Sequence, residues 1–186
     1  MALATQHRPW PTDDVRGRAA RIRIAGFDVD GTLTDGRLWF DGEGRESKAF
    51  HVHDGQGLVL LRQAGIVVVL VTARSGHAVE RRARELGVEL QHGIEDKLAC
   101  ARALCERHGC DLQQLAFMGD DLPDLPVLEQ AGLSAAPADA QACVGDRVHW
   151  RSRLNGGAGA VREFCELLLA ARNGQPPPPA VDGRGA

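Results

Sequence analysis

The chain has 186 residues, 44% hydrophobic and 25% charged, with a formal net charge of -3, which suits one α/β domain with its own core and leaves no room for a second. A pI near 6.2 argues against a nucleic-acid or anionic-membrane surface. The longest apolar run, Ile66 to Val71, is far short of the roughly 20 residues a membrane span needs, and the polar N-terminus lacks a secretory signal's apolar stretch, so a cytoplasmic protein is expected. Five cysteines, odd in number and without C-x-x-C, speak against both a disulfide framework and a zinc site.

Residues 1–21 read as a flexible lead-in, because Pro9, Pro11 and Gly17 punctuate a polar segment with no sustained period. The run Arg23 to Phe27 predicts a first strand, buried if central in a parallel sheet. It delivers Asp28-Val29-Asp30-Gly31-Thr32-Leu33-Thr34 at the strand's carboxyl end. Arg37 to Phe40 and Glu46 to Val52 flank Asp41-Gly42-Glu43-Gly44, a strong hairpin signal. A lone two-stranded ribbon carrying Trp39 and Phe40 is marginal in water, so the ribbon is expected to pack on another subunit or fold back on its own domain.

A short helix through Leu58, Leu60, Leu61 and Ala64 ends at Gly65, and Ile66 to Val71 forms a second buried strand that runs into Thr72-Ala73-Arg74. A helix from His77 to Leu86, a short strand over Val88 to Gln91 and a helix from Glu95 to His108, with Lys97 in its first turn, come next. Leu115 to Met118 is a strand leading into Gly119-Asp120-Asp121-Leu122-Pro123-Asp124. A short helix (Pro126 to Gln130), a strand (Leu133 to Ala136), a helix near Ala138 to Val144 and Arg147 to Trp150 follow. The loop Asn155 to Gly159 and an amphipathic helix over Val161 to Ala171 complete a domain of residues 22–173; the Pro-rich residues 174–186 read as a disordered tail. Alternating strands and helices predict a single doubly wound parallel sheet of the Rossmann-like kind.

Asp28 and Asp30, Thr72, Lys97, and Asp120 with Asp121 and Asp124 fall at strand ends or helix starts on one sheet edge. Converging carboxylates repel unless a cation sits among them. Oxygen ligands few in number fit Mg²⁺, which binds through one or two carboxylates plus a substrate phosphate, and a phosphate also accounts for Thr72 and Lys97. Taken singly, each has a bland rival: Asp28 and Asp30 as turn and cap residues, Thr72 as a helix cap, Lys97 as a solvated helix residue.

In order, these motifs are D-x-D-G-T at Asp28, a Thr at a second strand end, a Lys, and G-D-D-x-x-D from Gly119. The set resembles the haloacid dehalogenase superfamily of phosphohydrolases. That resemblance implies that Asp28 is the nucleophile, forming an aspartyl phosphate, and that Asp30 acts as acid and then base. It implies Mg²⁺ held by Asp28, the main-chain carbonyl of Asp30, and Asp120, with Asp121 and Asp124 supporting its waters and Lys97. Thr72 and Lys97 would bind the phosphoryl group.

The gaps between motifs hold only a hairpin, short helices and a short strand, too little for a cap domain, so the site would lie open. Capless architecture, with Lys48-Ala49-Phe50-His51-Val52, Asp54-Gly55, Arg74 and Gly156-Gly157-x-Gly159-Ala160-Val161-Arg162-Glu163, is similar to the 3-deoxy-D-manno-octulosonate 8-phosphate phosphatases of lipopolysaccharide synthesis. The likeness implies a homotetramer in which hairpins meet, and substrate contacts from Asp30, His51, Val52, His53, Asp54, Gly55, Arg74, Arg82 and Lys97. Arg74 is the stronger candidate of the two arginines, since a guanidinium grips a carboxylate or phosphate with two bonds.

His53 stands where many relatives have Arg, and Ala73 where Gly is common. Three alternatives stay open: a phosphatase for a nine-carbon sugar acid 9-phosphate, a non-catalytic oligomerisation domain of the same fold, and a phospho-receiver domain. The receiver lacks an acid two residues after its phosphoacceptor, which Asp30 provides here.

Overall fold

The computed structural model of the protein describes residues 11–174. The chain passes through α1 (Asp13–Ala19), β1 (Ile24–Phe27), a hairpin of β2 (Trp39–Phe40) and β3 (Glu46–Ser47), α2 (Val52–Gln63), β4 (Val67–Thr72) and α3 (His77–Leu86). It continues through β5 (Glu89–His92), α4 (Lys97–Arg107), β6 (Leu115–Met118), α5 (Leu125–Leu128), β7 (Leu133–Ala136), α6 (Ala142–Gly145), β8 (Trp150–Arg151) and α7 (Ala160–Arg172).

Six of these strands pair in parallel in the order β5-β4-β1-β6-β7-β8. From β1 the chain winds outward to β4 and β5, then crosses to β6 on the other side of β1. The strand order therefore reverses between β1 and β6, where open α/β sheets leave a crevice at the strands' carboxyl ends. Phe27 is level with Leu70 on one side and Met118 on the other, and the Asp28 N–H donates to Met118 O at 2.9 Å. Asp28 thus emerges level with the ends of both neighbours.

The strands alternate between two apolar layers, as a sheet covered on both faces requires. Ala25, Phe27, Leu70 and Met118 pack with residues of α1, α2, α3 and α7, where the Phe164 ring stacks on Trp150 at 5.4 Å. Ile24, Val69, Val71 and Phe117 pack with residues of α4, α5 and α6. Both layers are mainly apolar at the sheet, with the buried Ser134 of β7 hydrogen-bonded to His149, and they give the crevice a packed base.

Most strand and helix expectations hold with shifted bounds; the returning hairpin strand, expected over Glu46 to Val52, is only Glu46–Ser47, the helix expected near Ala138 to Val144 is Ala142–Gly145, and one further segment differs outright. Part of the expected flexible lead-in is the helix α1: Thr12 caps it by accepting from the Val15 N–H, Asp13 and Asp14 occupy its first turn, and buried Val15 and Ala19 dock it on the core beside α7. A single turn's worth of apolar residues was too short a signal to stand out as periodic. Helix α2 begins at Val52, six residues before the first leucine that signalled it, and Pro123 and Asp124 lie in a 3-10 turn ahead of α5. Residues 1–10 and 175–186, which include the first part of the expected lead-in and nearly all of the Pro-rich tail, lie outside the described residues.

The loop before α7 packs against the turn after β1. A Cβ on Gly156 would sit 1.8 Å from Gly31 O, so only glycine allows this approach, and the Gly157 N–H donates to Thr32 O at 3.0 Å. Asp54 on α2 fixes the other end of that loop by accepting from the N–H groups of Gly159 and Arg162 at 3.2 and 2.8 Å.

Candidate active site

Helix α4 is capped by Asp96, which accepts from the Ala99 N–H at 2.9 Å, and so starts at Lys97. A cation in a first turn faces the helix's positive end and needs anionic partners. Lys97 finds two: its Nζ lies 2.5 Å from Asp28 Oδ1 and 2.5 Å from Asp124 Oδ1, with all three side chains buried. Burial works against this ammonium, yet the charges of Asp28 and Asp124 outweigh it and raise the Lys97 pKa.

Asp28, Asp120 and Asp124 each offer a carboxylate oxygen within 4.8 Å of the others. Burial, and then the charge of Asp124, pushes the Asp28 carboxyl well above the usual range, and burial with Asp124 lifts Asp120 to about 6. One lysine does not balance three acids, two of them buried and Asp120 half-buried. A divalent cation would, and the oxygens left free name its ligands. Asp124 is fully engaged, with Oδ1 on Lys97 and Oδ2 accepting the N–H groups of Asp120 and Asp121 at 3.0 and 3.3 Å. Asp28 and Asp120 each keep one oxygen uncommitted, while Thr32 donates to Asp120 Oδ1 at 3.1 Å. Hard oxygen donors in this number fit Mg²⁺. Gly31 (φ +96°) makes the approach possible, because a Cβ there would lie 2.0 Å from Asp120 Oδ2. Asp121 is exposed and caps the turn that carries Asp124.

Thr72 is buried at the end of β4, and its Oγ1 accepts from the Arg74 N–H at 3.2 Å. Asp30 is half-buried beside the hairpin, where Lys48 Nζ is ion-paired to its Oδ1. The same Nζ lies 2.7 Å from Glu46 Oε1, and Glu46 Oε2 accepts from Arg74 Nη2 at 3.0 Å. Arg74 holds the Glu46 carboxyl below its ordinary range, with Lys48 adding to the effect. Glu46, on β3, and Lys48, just past its end, are two residues apart and turn to the same side, a pattern visible in the sequence but indistinguishable there from ribbon solubility. Thr32 was in the first motif without a task of its own.

The segment His51 to Gly55 lies on the first turn of α2. Val52 is 75% exposed, His53 is exposed, and the rings of His51 and His53 meet edge to face at 5.1 Å. Arg82 is no solvated helix residue: its guanidinium lies over the Phe50 ring at 5.7 Å and against Gly55. Asp54, expected as a substrate contact, is buried, and its carboxylate accepts from the N–H groups at the start of α7. No cap covers the crevice among the described residues.

No protein-family profile matches the chain. The 3-deoxy-D-manno-octulosonate 8-phosphate phosphatase KdsC of Yersinia pestis is 43% identical over 162 residues, 87% of each chain. A crystal structure of a Xanthomonas campestris protein superposes with a TM-score of 0.87 at 50% identity, covering 93% of this chain and 94% of the other. The octulosonate 8-phosphate phosphatase of Moraxella catarrhalis, crystallised with magnesium ion, phosphate ion and KDO, superposes at 0.85 with 39% identity, covering 87% and 94%. Likeness of this extent, on a capless sheet with the acids at its switch point, assigns the chain to the 3-deoxy-D-manno-octulosonate 8-phosphate phosphatases of the haloacid dehalogenase superfamily.

Proposed function

We propose that the protein hydrolyses 3-deoxy-D-manno-octulosonate 8-phosphate to the free sugar acid and phosphate, with Mg²⁺, in lipopolysaccharide synthesis. The observation that carries this reading is the cluster of Asp28, Asp120 and Asp124 around Lys97, whose excess negative charge a divalent cation would balance. Asp28 and Asp120 would hold the ion, with the main-chain carbonyl of Asp30. When bound, Mg²⁺ offsets the repulsion between nucleophile and phosphate and clamps the phosphoryl oxygens.

Asp28 attacks phosphorus in line, forming the aspartyl phosphate and breaking the bond to the sugar oxygen. Lys97 draws charge from both Asp28 and the phosphoryl group, and Thr72 donates a hydroxyl to a phosphoryl oxygen. Asp30 gives its proton to the departing sugar oxygen, then takes one from the water that cleaves the acyl phosphate. The presence of Asp30 favours turnover over the long-lived phosphoryl state of a receiver domain. The full set of acids with Lys97 likewise favours an enzyme over a purely structural module.

Arg74, which donates to Glu46, and Arg82, over the Phe50 ring, would meet the sugar acid's carboxylate, for which a guanidinium is suited. Leu38, Trp39 and Phe40 are 47%, 57% and 58% exposed on the hairpin, an apolar edge that supports assembly into a homotetramer. A neighbouring subunit there would supply the cover that a capless site lacks. No helix among the described residues is long and apolar enough to cross a membrane, and free thiols at all five cysteines suit the reducing cytoplasm.

Phosphate release from a panel of sugar phosphates, with Mg²⁺ or with EDTA, tests the assignment. Strong preference for the eight-carbon acid, lost in EDTA, is expected. Preference for the nine-carbon 9-phosphate would move the substrate and point to His53, and zero turnover on every member would favour the structural module.

A further inference from the structure

The hairpin does more than offer an apolar edge. We propose that Lys48 is a positioning residue for the Asp30 carboxyl group: its ammonium holds Oδ1 and leaves Oδ2 to meet the leaving oxygen. The inference rests on the assignment of Asp30 as acid and base and deepens it.

Three observations converge. Lys48 Nζ is paired to Asp30 Oδ1, and its side chain is only 3% exposed, so the contact is built in. Asp30 Oδ2 is buried and has no hydrogen-bond partner. A buried acceptor left bare costs free energy unless something arrives to meet it, which marks Oδ2 as the working oxygen. An ammonium has only donors, so the oxygen it holds is the accepting one, and a transferable proton belongs on the other.

Glu46 makes this arrangement workable through a whole turnover. If Asp30 were the sole counter-charge of Lys48, passing a proton to Asp30 would strand a buried ammonium. Glu46 Oε1, 2.7 Å away, keeps Lys48 balanced, and Arg74 on Glu46 Oε2 fixes that carboxylate in turn. Asp30 is then free to alternate between acid and carboxylate without losing its orientation. Lys48, with two anions already on its Nζ, is not a spare cation for the substrate's carboxylate.

The test compares first-turnover phosphoryl transfer to Asp28 from two donors in Lys48→Met. The sugar 8-phosphate has a poor alkoxide leaving group that needs the acid, whereas 4-nitrophenyl phosphate departs with little help. The loss on the sugar phosphate is expected to exceed that on the aryl phosphate by about thirtyfold or more. Its dissociation constant should stay within about threefold, and Lys48→Arg should recover at least part of the rate. Equal losses on both donors would reduce Lys48 to a structural ion pair and overturn the proposal. So would a raised KM with kcat intact, which would make Lys48 a substrate contact. If Lys48→Met does not yield folded protein, Lys48→Gln is read by the same criteria.

Asp30→Asn run alongside separates the two levels. If it shows no leaving-group dependence, the acid lies elsewhere and both ideas fall. If it shows the dependence and the Lys48 variants do not, only the positioning role falls.

Discussion

Lys97 Nζ lies 2.5 Å from Asp28 Oδ1, joining residues 69 positions apart at the mouth of the sheet. This pair and the Asp124 contact on the same nitrogen tie the start of α4 to the end of β1 and to the turn ahead of α5. Lys97→Ala would leave two buried carboxylates facing each other without a counter-charge. The variant is expected to lose about 3 kcal/mol of stability and all measurable turnover, and Mg²⁺ should restore part of the melting temperature. A variant that melts with the wild type would show that Lys97 does not balance the cluster.

Metal binding should depend on pH with a definite sign. Folding lifts the Asp120 carboxyl to about 6, chiefly through burial and then through Asp124, so the folded chain holds that proton more tightly than the unfolded chain. In metal-free protein this contribution to stability is full below the unfolded carboxyl range and is lost as pH rises through about 6. Mg²⁺ competes with the proton for the same carboxylate. Thermal unfolding should therefore show a larger Mg²⁺-induced rise in melting temperature well above pH 6 than near pH 5. An equal rise at both would place the ion away from Asp120.

The glycine loop, where the Gly156 N–H donates to Asp139 Oδ1 at 2.9 Å, offers a test outside the cluster of Lys97 and its acids. Gly156→Ala would push a Cβ into the Gly31 carbonyl and displace the turn that carries Asp30. Activity is expected to fall by about tenfold or more while the far-UV circular dichroism is unchanged, since small misplacements of reacting groups are costly. Full activity would show that the loop can give way without disturbing the turn.

The parallel sheet and the meeting of Asp28, Lys97 and Asp120 were legible because each rests on a local signal, an apolar run followed by a polar strand end or a capped helix start. What escaped depends on pairing over distance or on weak periodicity. Helix α1 shows only Val15 and Ala19 to the core, too little for a periodic pattern. Asp54 looked like part of a substrate loop because nothing in its neighbours announces the N–H groups of Gly159 and Arg162, more than a hundred positions on. Nothing around Lys48 and Glu46 in the sequence announces their partners, and only the fold reveals that Lys48 pairs with both Asp30 and Glu46.

The hairpin's apolar edge predicts assembly. Trp39→Ser combined with Phe40→Ser removes most of the exposed aromatic surface without touching the buried core. Sedimentation velocity should show a smaller species than the wild type, with lower activity if a neighbour covers the site. An unchanged oligomer would locate the interface elsewhere.

The claim on which the rest depends is that Asp28 becomes covalently phosphorylated. Acid quench within the first turnover, followed by mass spectrometry of peptides, measures it directly, and Asp30→Asn should increase the yield by slowing breakdown of the acyl phosphate. One phosphoryl group on Asp28, absent in EDTA and absent in Asp28→Asn, is the predicted result. Sustained turnover with no phosphoryl group on Asp28, or undiminished turnover in Asp28→Asn, would contradict the account.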